Sequence, residues 1–314
     1  RDHFIGAVEC IFHDVGKPSS EITKHSVERG EYRAYHNHEL ASARLFEDWA
    51  TQQESMFTPL EIARIVFMIE YHMPWNIERD SKLKNLAVTA KAYGADIYMM
   101  TLLADQFGRT SDDWDANTTR SAAWVEKFKA IVDVASEVMV SDVGIALADP
   151  SRLSDVDKVL IMPIGASGSG KSTLQLELNQ DTCAVFSLDA LRLKWYDPID
   201  YSVAFQKSTE DNTFERRADA EFIATVSGTA TEVYVDNTNT GAKRRRKYLV
   251  EATKRGYMTS AVLMPAPIQL LVDRQKTRGD KSVPREAVVR QYMSTGCPLL
   301  GEFDSIYVSG HNIA

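Results

Sequence analysis

Residues 163–173 read PIGASGSGKST, and Gly165 to Ser172 fit the spacing G-x-x-x-x-G-K-[ST]. Glycines at this spacing let backbone N–H groups turn toward phosphate oxygens, and the helix that follows presents its positive end to them. Lys171 would reach the β and γ phosphates of a nucleoside triphosphate, and Ser172 would hold Mg²⁺. The candidate nucleotide contacts are therefore Gly165, Ser167, Gly168, Ser169, Gly170, Lys171, Ser172 and Thr173. A second constellation lies near the start, where His13-Asp14 stand within FHDVGK. Adjacent imidazole and carboxylate suit a divalent metal. His38 in HNHE, His72 in EYHM and Asp105 in LLADQFGR are further candidate ligands. His36 and His38 cannot both face one site from a helix, and His38 opens the helical pattern. A metal held there would acidify a bound water for attack on phosphorus. On this reading one half of the chain would add phosphates and the other remove them.

Four segments supply partners for the phosphate loop. SLDALR sets Asp189 at the carboxyl end of the next strand, expected beside the loop, where a carboxylate can take the proton of an attacking hydroxyl. Arg192, three residues on, can face the same space and neutralise developing charge or grip an acceptor phosphate. The alternative is that Asp189 caps a helix and Arg192 is a surface residue. Asp236 ends EVYVDN and reads two ways, as support for Mg²⁺ or an active-site arginine, or as an Asx turn. DRQKTRGDKSVP (273–284) gathers Arg274, Lys276 and Arg278, either as a lid over the triphosphate or as cations at a helix C-terminus. KRRRK (243–247) opens a helix, an end that disfavours cations, so it reads either as a phosphate contact or as a solvated face.

The elements that must position these residues fall into two halves. HNHELASARLFEDWA (36–50), TPLEIARIVFMIEYHM (58–73), a long run over 80–107 and SAAWVEKFKAIVDVASEVM (121–139) carry apolar residues at three- and four-residue spacing. Thr58, Pro59 and Glu61 form a capping start. No strand alternation stands out before residue 155. IALADPSRLSDVD (145–157) reads as a connection. Beyond it, strands at 158–164, 183–189, 232–237, 258–264 and 305–308 alternate with helices at 171–178, 215–228, 242–256, 267–278 and 284–294. That order implies a parallel sheet covered on both faces. The expected fold is an all-α helical bundle over 1–145, a linker over 146–156 and an α/β P-loop domain over 157–314.

The chain of 314 residues is 44% hydrophobic and 25% charged, ordinary values for a globular protein of about two domains. Residues 1–150 carry 15 Lys+Arg against 24 Asp+Glu, and the remainder carries 21 against 20. A bulk basic footprint for nucleic acid is absent, so any polyanion contact is local. No run of ~18 apolar residues proposes a transmembrane helix, and no signal peptide is evident. Cys10, Cys183 and Cys297 are too few and too scattered for a disulfide framework, which makes a reducing cytoplasm the expectation. The first residue is Arg, not Met, so an N-terminal piece is expected to be missing.

In order, GASGSGKST, SLDALR, VDNTNTGAKRRR and RQKTRGDKSVP resemble the kinase domain of polynucleotide 5′-kinases over about 155–310. The resemblance implies Asp189 as general base for a 5′-hydroxyl, Arg192 at the acceptor end and Arg278 on the donor phosphates. It also aligns Asp236 to Asn239 with that family's D-x-N. FHDVGKP, YHNHELA, EYHMPW and LLADQFGR resemble the HD phosphohydrolase superfamily over about 1–140. That resemblance implies His13, Asp14, His38, His72 and Asp105 as ligands of one or two divalent transition metals such as Mn, Ni, Co or Fe. Lys17 is either a substrate-phosphate contact or a surface residue. The family carries one more upstream His, and His3 is too close to His13 to be it.

An HD phosphohydrolase followed by a polynucleotide kinase is similar to the bacterial end-healing enzymes of RNA repair. The implied cofactor of the kinase is Mg²⁺ with ATP or another nucleoside triphosphate. The implied partners are RNA or DNA ends and a separate RNA ligase, with no membrane. Two other readings stand beside it: a nucleotide-salvage HD nucleotidase fused to a small-molecule kinase, and a nucleotide-binding sensor with an inactive HD half.

Overall fold

The computed structural model describes residues 1–310, apart from 28–29, 54, 75–76, 78, 109–113, 136–143, 150–152, 154–156 and 179–180. The chain divides into two compact units, Arg1–Ile145 with Leu299–Gly301, and Ala146–Pro298 with Glu302–Ala314.

The first unit is mainly helical. Its elements are α1 (Asp2–Phe12), a single turn α2 (Lys17–Ser20), α3 (His38–Ala50), α4 (Pro59–Glu70), α5 (Asp80–Tyr93), α6 (Ala95–Gly108) and α7 (Trp114–Ala135). The capping box at Thr58 forms as the sequence predicts: Glu61 N donates to Thr58 Oγ1, and Thr58 N donates to Glu61. The run over 80–107 is two helices, because Gly94 between them adopts φ 108°, a conformation that favours glycine. The expectation of an all-α unit fails. Between α2 and α3 lies an antiparallel hairpin, β1 (Glu21–Ser26) with β2 (Gly30–Tyr35), in register from Glu21↔Tyr35 to Ser26↔Gly30. None of its residues is fully buried, so its two faces carry none of the apolar alternation that marks a half-buried strand. The core includes apolar side chains from α4, α5 and α6, with the Phe67 ring packed at a tilt against Tyr71, Tyr93 and Tyr98.

The second unit is built on a six-stranded sheet in the order β3-β8-β7-β4-β6-β5. The strands are β3 (Ile145–Leu147), β4 (Val159–Ile164), β5 (Cys183–Phe186), β6 (Glu232–Val235), β7 (Met258–Leu263) and β8 (Ser305–Val308). The four ladders joining β5, β6, β4, β7 and β8 are all parallel. Every residue of β4 is buried, as a central parallel strand requires. The helices are α8 (Lys171–Glu177), α9 (Leu188–Trp195), α10 (Tyr201–Glu210), α11 (Phe214–Ser227), α12 (Ala242–Thr253), α13 (Ile268–Gln275) and α14 (Arg285–Met293). One cluster joins Val159, Ile161, Leu174, Tyr234, Val262 and Tyr307; a second set of rings, Phe186, Phe222 and Tyr248, packs together from β5, α11 and α12.

Three sequence expectations need correction here. The segment read as a connection over 145–157 includes a strand, β3, and the buried Leu153. Asp189 does not end a strand; β5 stops at Phe186 and Asp189 lies in the first turn of α9. That strand is also not the neighbour of β4, since β6 stands between them.

Candidate functional sites

The first site gathers three imidazoles and two carboxylates. His13 is the residue that ends α1, His72 stands two beyond the end of α4, and His38 opens α3. Each ring is oriented the same way. His13 Nδ1 lies 2.8 Å from Cys10 O, His38 Nδ1 2.9 Å from Tyr35 O and His72 Nδ1 2.7 Å from Ile69 O. Two of those carbonyls belong to the last turns of helices, which have no intrahelical donor, so the histidines satisfy them. A ring that donates through Nδ1 turns Nε2 to the site. Asn37, held at φ 56°, turns the chain so that His38 is buried while His36 is exposed.

The Nε2 atoms converge on carboxylates. His13 Nε2 is 3.3 Å from Asp14 Oδ2 and 3.4 Å from Asp105 Oδ1; His38 Nε2 is 3.2 Å and His72 Nε2 3.9 Å from Asp14 Oδ1. Asp14 is thus common to two ligand groups, one with His38 and His72 and one with His13 and Asp105. His38 Nε2 and His72 Nε2 are buried with no hydrogen-bond partner among the described residues. Mixed imidazole and carboxylate donors at these spacings fit a divalent first-row metal. The charges respond to the same geometry. Asp105 and Asp14 push His13 up to about 10, whereas burial pulls His72 down to about 4. Burial alone would raise Asp14, but the pull of His13, His38 and Lys17 beside it prevails and holds it far below the usual carboxylate range. Lys17 is paired with Asp14 and lies over the Tyr35 ring.

The second site lies at the carboxyl edge of the large sheet. Gly165 and Gly168 have no room for a side chain: a Cβ would stand 2.5 Å from Ser169 Oγ at the first and 2.9 Å from Leu271 O at the second, where φ is 89°. Lys171 is buried, with Nζ donating to Gly165 O at 2.9 Å and Ala166 O at 2.8 Å. Burial pulls it down to about 8, although Asp236 and Asp189 favour its charge. Ser172 and Thr173 are exposed on the first turn of α8, where a hydroxyl can meet Mg²⁺.

The loop is braced from two sides. The turn after β6 supplies Thr238 O, which accepts from Gly165 N at 3.1 Å, and Asn239, whose Nδ2 donates to Pro163 O at 2.8 Å. From α13 and the segment after it, Arg274 Nη1 donates to Gly168 O at 2.9 Å and Arg278 Nη1 to Ser167 Oγ at 2.5 Å. Gln275 and Gln291 also reach Ser167, at 3.3 Å on its hydroxyl and 2.9 Å on its backbone N–H. Lys276, by contrast, is a surface residue paired with Asp273.

Asp189 faces this loop from α9. Its Oδ1 accepts from Arg192 Nη1 at 2.6 Å and from Tyr201 Oη at 2.6 Å. Arg192 Nε donates to Ser208 at 3.1 Å, and the guanidinium lies over Phe205 and Phe214. Leu188 N donates to Asn237 Oδ1 at 3.1 Å, tying the Asp189 turn to the Asp236 turn. Burial raises Asp236, with Lys171 opposing. Sequence reasoning missed Tyr201, Ser208 and Gln291, which fall in no motif, and Gln275, the uncharged member of DRQKTRGDKSVP. Of the KRRRK run, Lys243, Arg244 and Arg246 are exposed, but Arg245 is neither solvated nor free for phosphate. It is buried in a paired contact with Glu302, at 2.8 and 2.9 Å, and also donates to Asn239 O, Thr240 O and Gly296 O.

Among known proteins, no curated sequence matches the chain. In a solved structure, that of the Deinococcus radiodurans tunicamycin resistance protein, similarity covers 49% of this chain and 88% of that one, at 15% identity and a TM-score of 0.31. Residues 160–296 match the family model of an AAA domain, and with the loop, its lysine and the parallel sheet this stretch is a P-loop kinase-like domain, a fold that implies use of a nucleotide and Mg²⁺.

Proposed function

We propose that the chain is a bifunctional nucleic-acid end-healing enzyme, a 5′-hydroxyl polynucleotide kinase joined to an HD-type 2′,3′-phosphoesterase. The observation that carries the kinase reading is one loop to which Lys171, Arg274 and Arg278 all donate, with the Asp189 and Asp236 turns tied together through Leu188 N and Asn237 Oδ1. A carboxylate oriented by an arginine suits an acceptor hydroxyl, and two arginines already seated on the loop suit donor phosphates. In this reading Asp189 takes or orients the hydroxyl proton and Arg192 faces the acceptor end. Lys171, Arg274 and Arg278 hold the triphosphate, with Mg²⁺ on Ser172 and Asp236 in support.

The phosphoesterase reading rests on the donor set. His13, Asp14, His38, His72 and Asp105 would hold the metal, which when bound supplies an acidified water and polarises the phosphoryl oxygen. Asp14 bridges the two ligand groups. Lys17, partly exposed beside Asp14, can turn its ammonium to a substrate phosphate. Removal of a 2′-, 3′- or 2′,3′-cyclic phosphate and phosphorylation of a 5′-hydroxyl together leave ends that an RNA ligase can seal.

The test is transfer of γ-labelled phosphate, with Mg²⁺, to a 5′-hydroxyl oligonucleotide, with nucleosides and sugars as parallel acceptors. Label on the oligonucleotide, lost in Lys171→Ala, is the expected result. Label confined to small acceptors would overturn the nucleic-acid reading.

A further inference from the structure

Asp189 is one carboxylate with two oxygens, and the described contacts treat them unequally. Both short bonds, from Arg192 and Tyr201, fall on Oδ1. The hydroxyl of Tyr201 is pushed well above its ordinary range, first by burial and then by this hydrogen bond to Asp189, so it remains a donor throughout the working pH range. Tyr201 is the first residue of α10, placed there by Asp200, whose side chain accepts from Val203 N at 3.1 Å. The same helix carries Ser208, which anchors Arg192, and Phe205, which lies beneath its guanidinium. One helix therefore fixes both groups that fix Asp189.

We infer that Tyr201 is a positioning residue for phosphoryl transfer: by occupying Oδ1 together with Arg192, it turns Oδ2 toward the acceptor hydroxyl. This deepens the kinase reading and rests on it. The proton moves from the acceptor hydroxyl to Oδ2 as the acceptor oxygen bonds to phosphorus and the bond to the nucleoside diphosphate breaks. Tyr201 neither gives nor receives that proton. A carboxylate held on one oxygen by two donors has its second oxygen aimed before substrate arrives, and orientation of this kind contributes directly to rate.

The experiment compares the wild-type chain with Tyr201→Phe, which keeps the ring and removes the donor. A hydrogen bond to a charged group is worth roughly ten- to a hundredfold in rate. The expected result is a fall of that size in kcat for oligonucleotide phosphorylation, with KM for the triphosphate unchanged. Replacement of Tyr201 by 3-fluorotyrosine, a donor of nearly the same shape, should keep kcat within about threefold of wild type. A kcat for Tyr201→Phe within twofold of wild type, or an equal loss of kcat in both variants, would overturn the assignment while leaving the kinase reading intact. Absence of transfer by the wild-type chain to any 5′-hydroxyl oligonucleotide would overturn both.

Discussion

The two sites predict opposite outcomes from single changes. Asp189→Ala removes the proposed base and should lower kinase turnover by about 10²–10⁴-fold, with phosphoesterase activity within twofold of wild type. His13→Ala should abolish phosphoesterase activity and lower bound metal, measured by elemental analysis, while the kinase rate holds. Loss of both activities from either change would count against separate sites. Lys171 predicts a pH effect whose sign follows from its burial. With carbonyl oxygens as partners it titrates near 8, below its ordinary 10.5. Between those values the folded chain binds fewer protons than the unfolded chain, so this group's contribution to stability grows as pH rises. A phosphate beside the ammonium would restore its proton. Binding of ATP at pH 8.5 should therefore take up about three-quarters of a proton, read as a difference in binding heat between buffers of unlike ionisation enthalpy. Equal heats would show that Lys171 is already charged.

At the scale of elements, the P-loop was legible because its chemistry is local: eight consecutive residues specify both the turn and the helix that opens from it. The three histidines were legible for a related reason, since each stands at or just beyond an element end that apolar periodicity marks. The hairpin of β1 and β2 was not, because strands without a buried face carry no alternation to read. Tyr201 and Arg245 were hidden differently. Their partners, Asp189 and Glu302, are brought to them by tertiary packing, and spacing along the chain says nothing about such pairs. Arg245 shows what that costs. Within KRRRK it looks like its neighbours, yet it is buried against Glu302 and three carbonyl oxygens. Arg245→Met leaves the Glu302 carboxylate and those carbonyls without their donor and should destabilise the α/β unit by about 3–5 kcal/mol. The change should appear as a lower urea midpoint at constant slope. Arg246→Met, one residue on and exposed, should change stability by no more than about 0.5 kcal/mol.

The whole molecule is two compact units, one holding the imidazole–carboxylate cluster and the other the phosphate loop. Scanning calorimetry should therefore show a transition raised by Mn²⁺ and another raised by MgATP, each by a few degrees at a hundredfold excess over Kd. Lys171→Ala should erase the second shift alone; a single transition moved by both ligands would contradict this. No described helix is long and apolar enough to cross a membrane. The strand order carries a consequence for synthesis. Glu232 of β6 pairs with Val159 of β4 on one side and Cys183 of β5 on the other. The phosphate loop and the Asp189 turn are near in sequence, but no ladder joins their strands directly. A chain still being made past residue 195 holds both motifs and cannot yet bring them together, because the strand that spaces them has not emerged. Donor and acceptor sides of the kinase thus assemble only after β6 inserts, and each contact between them inherits the slow closure of that longer loop.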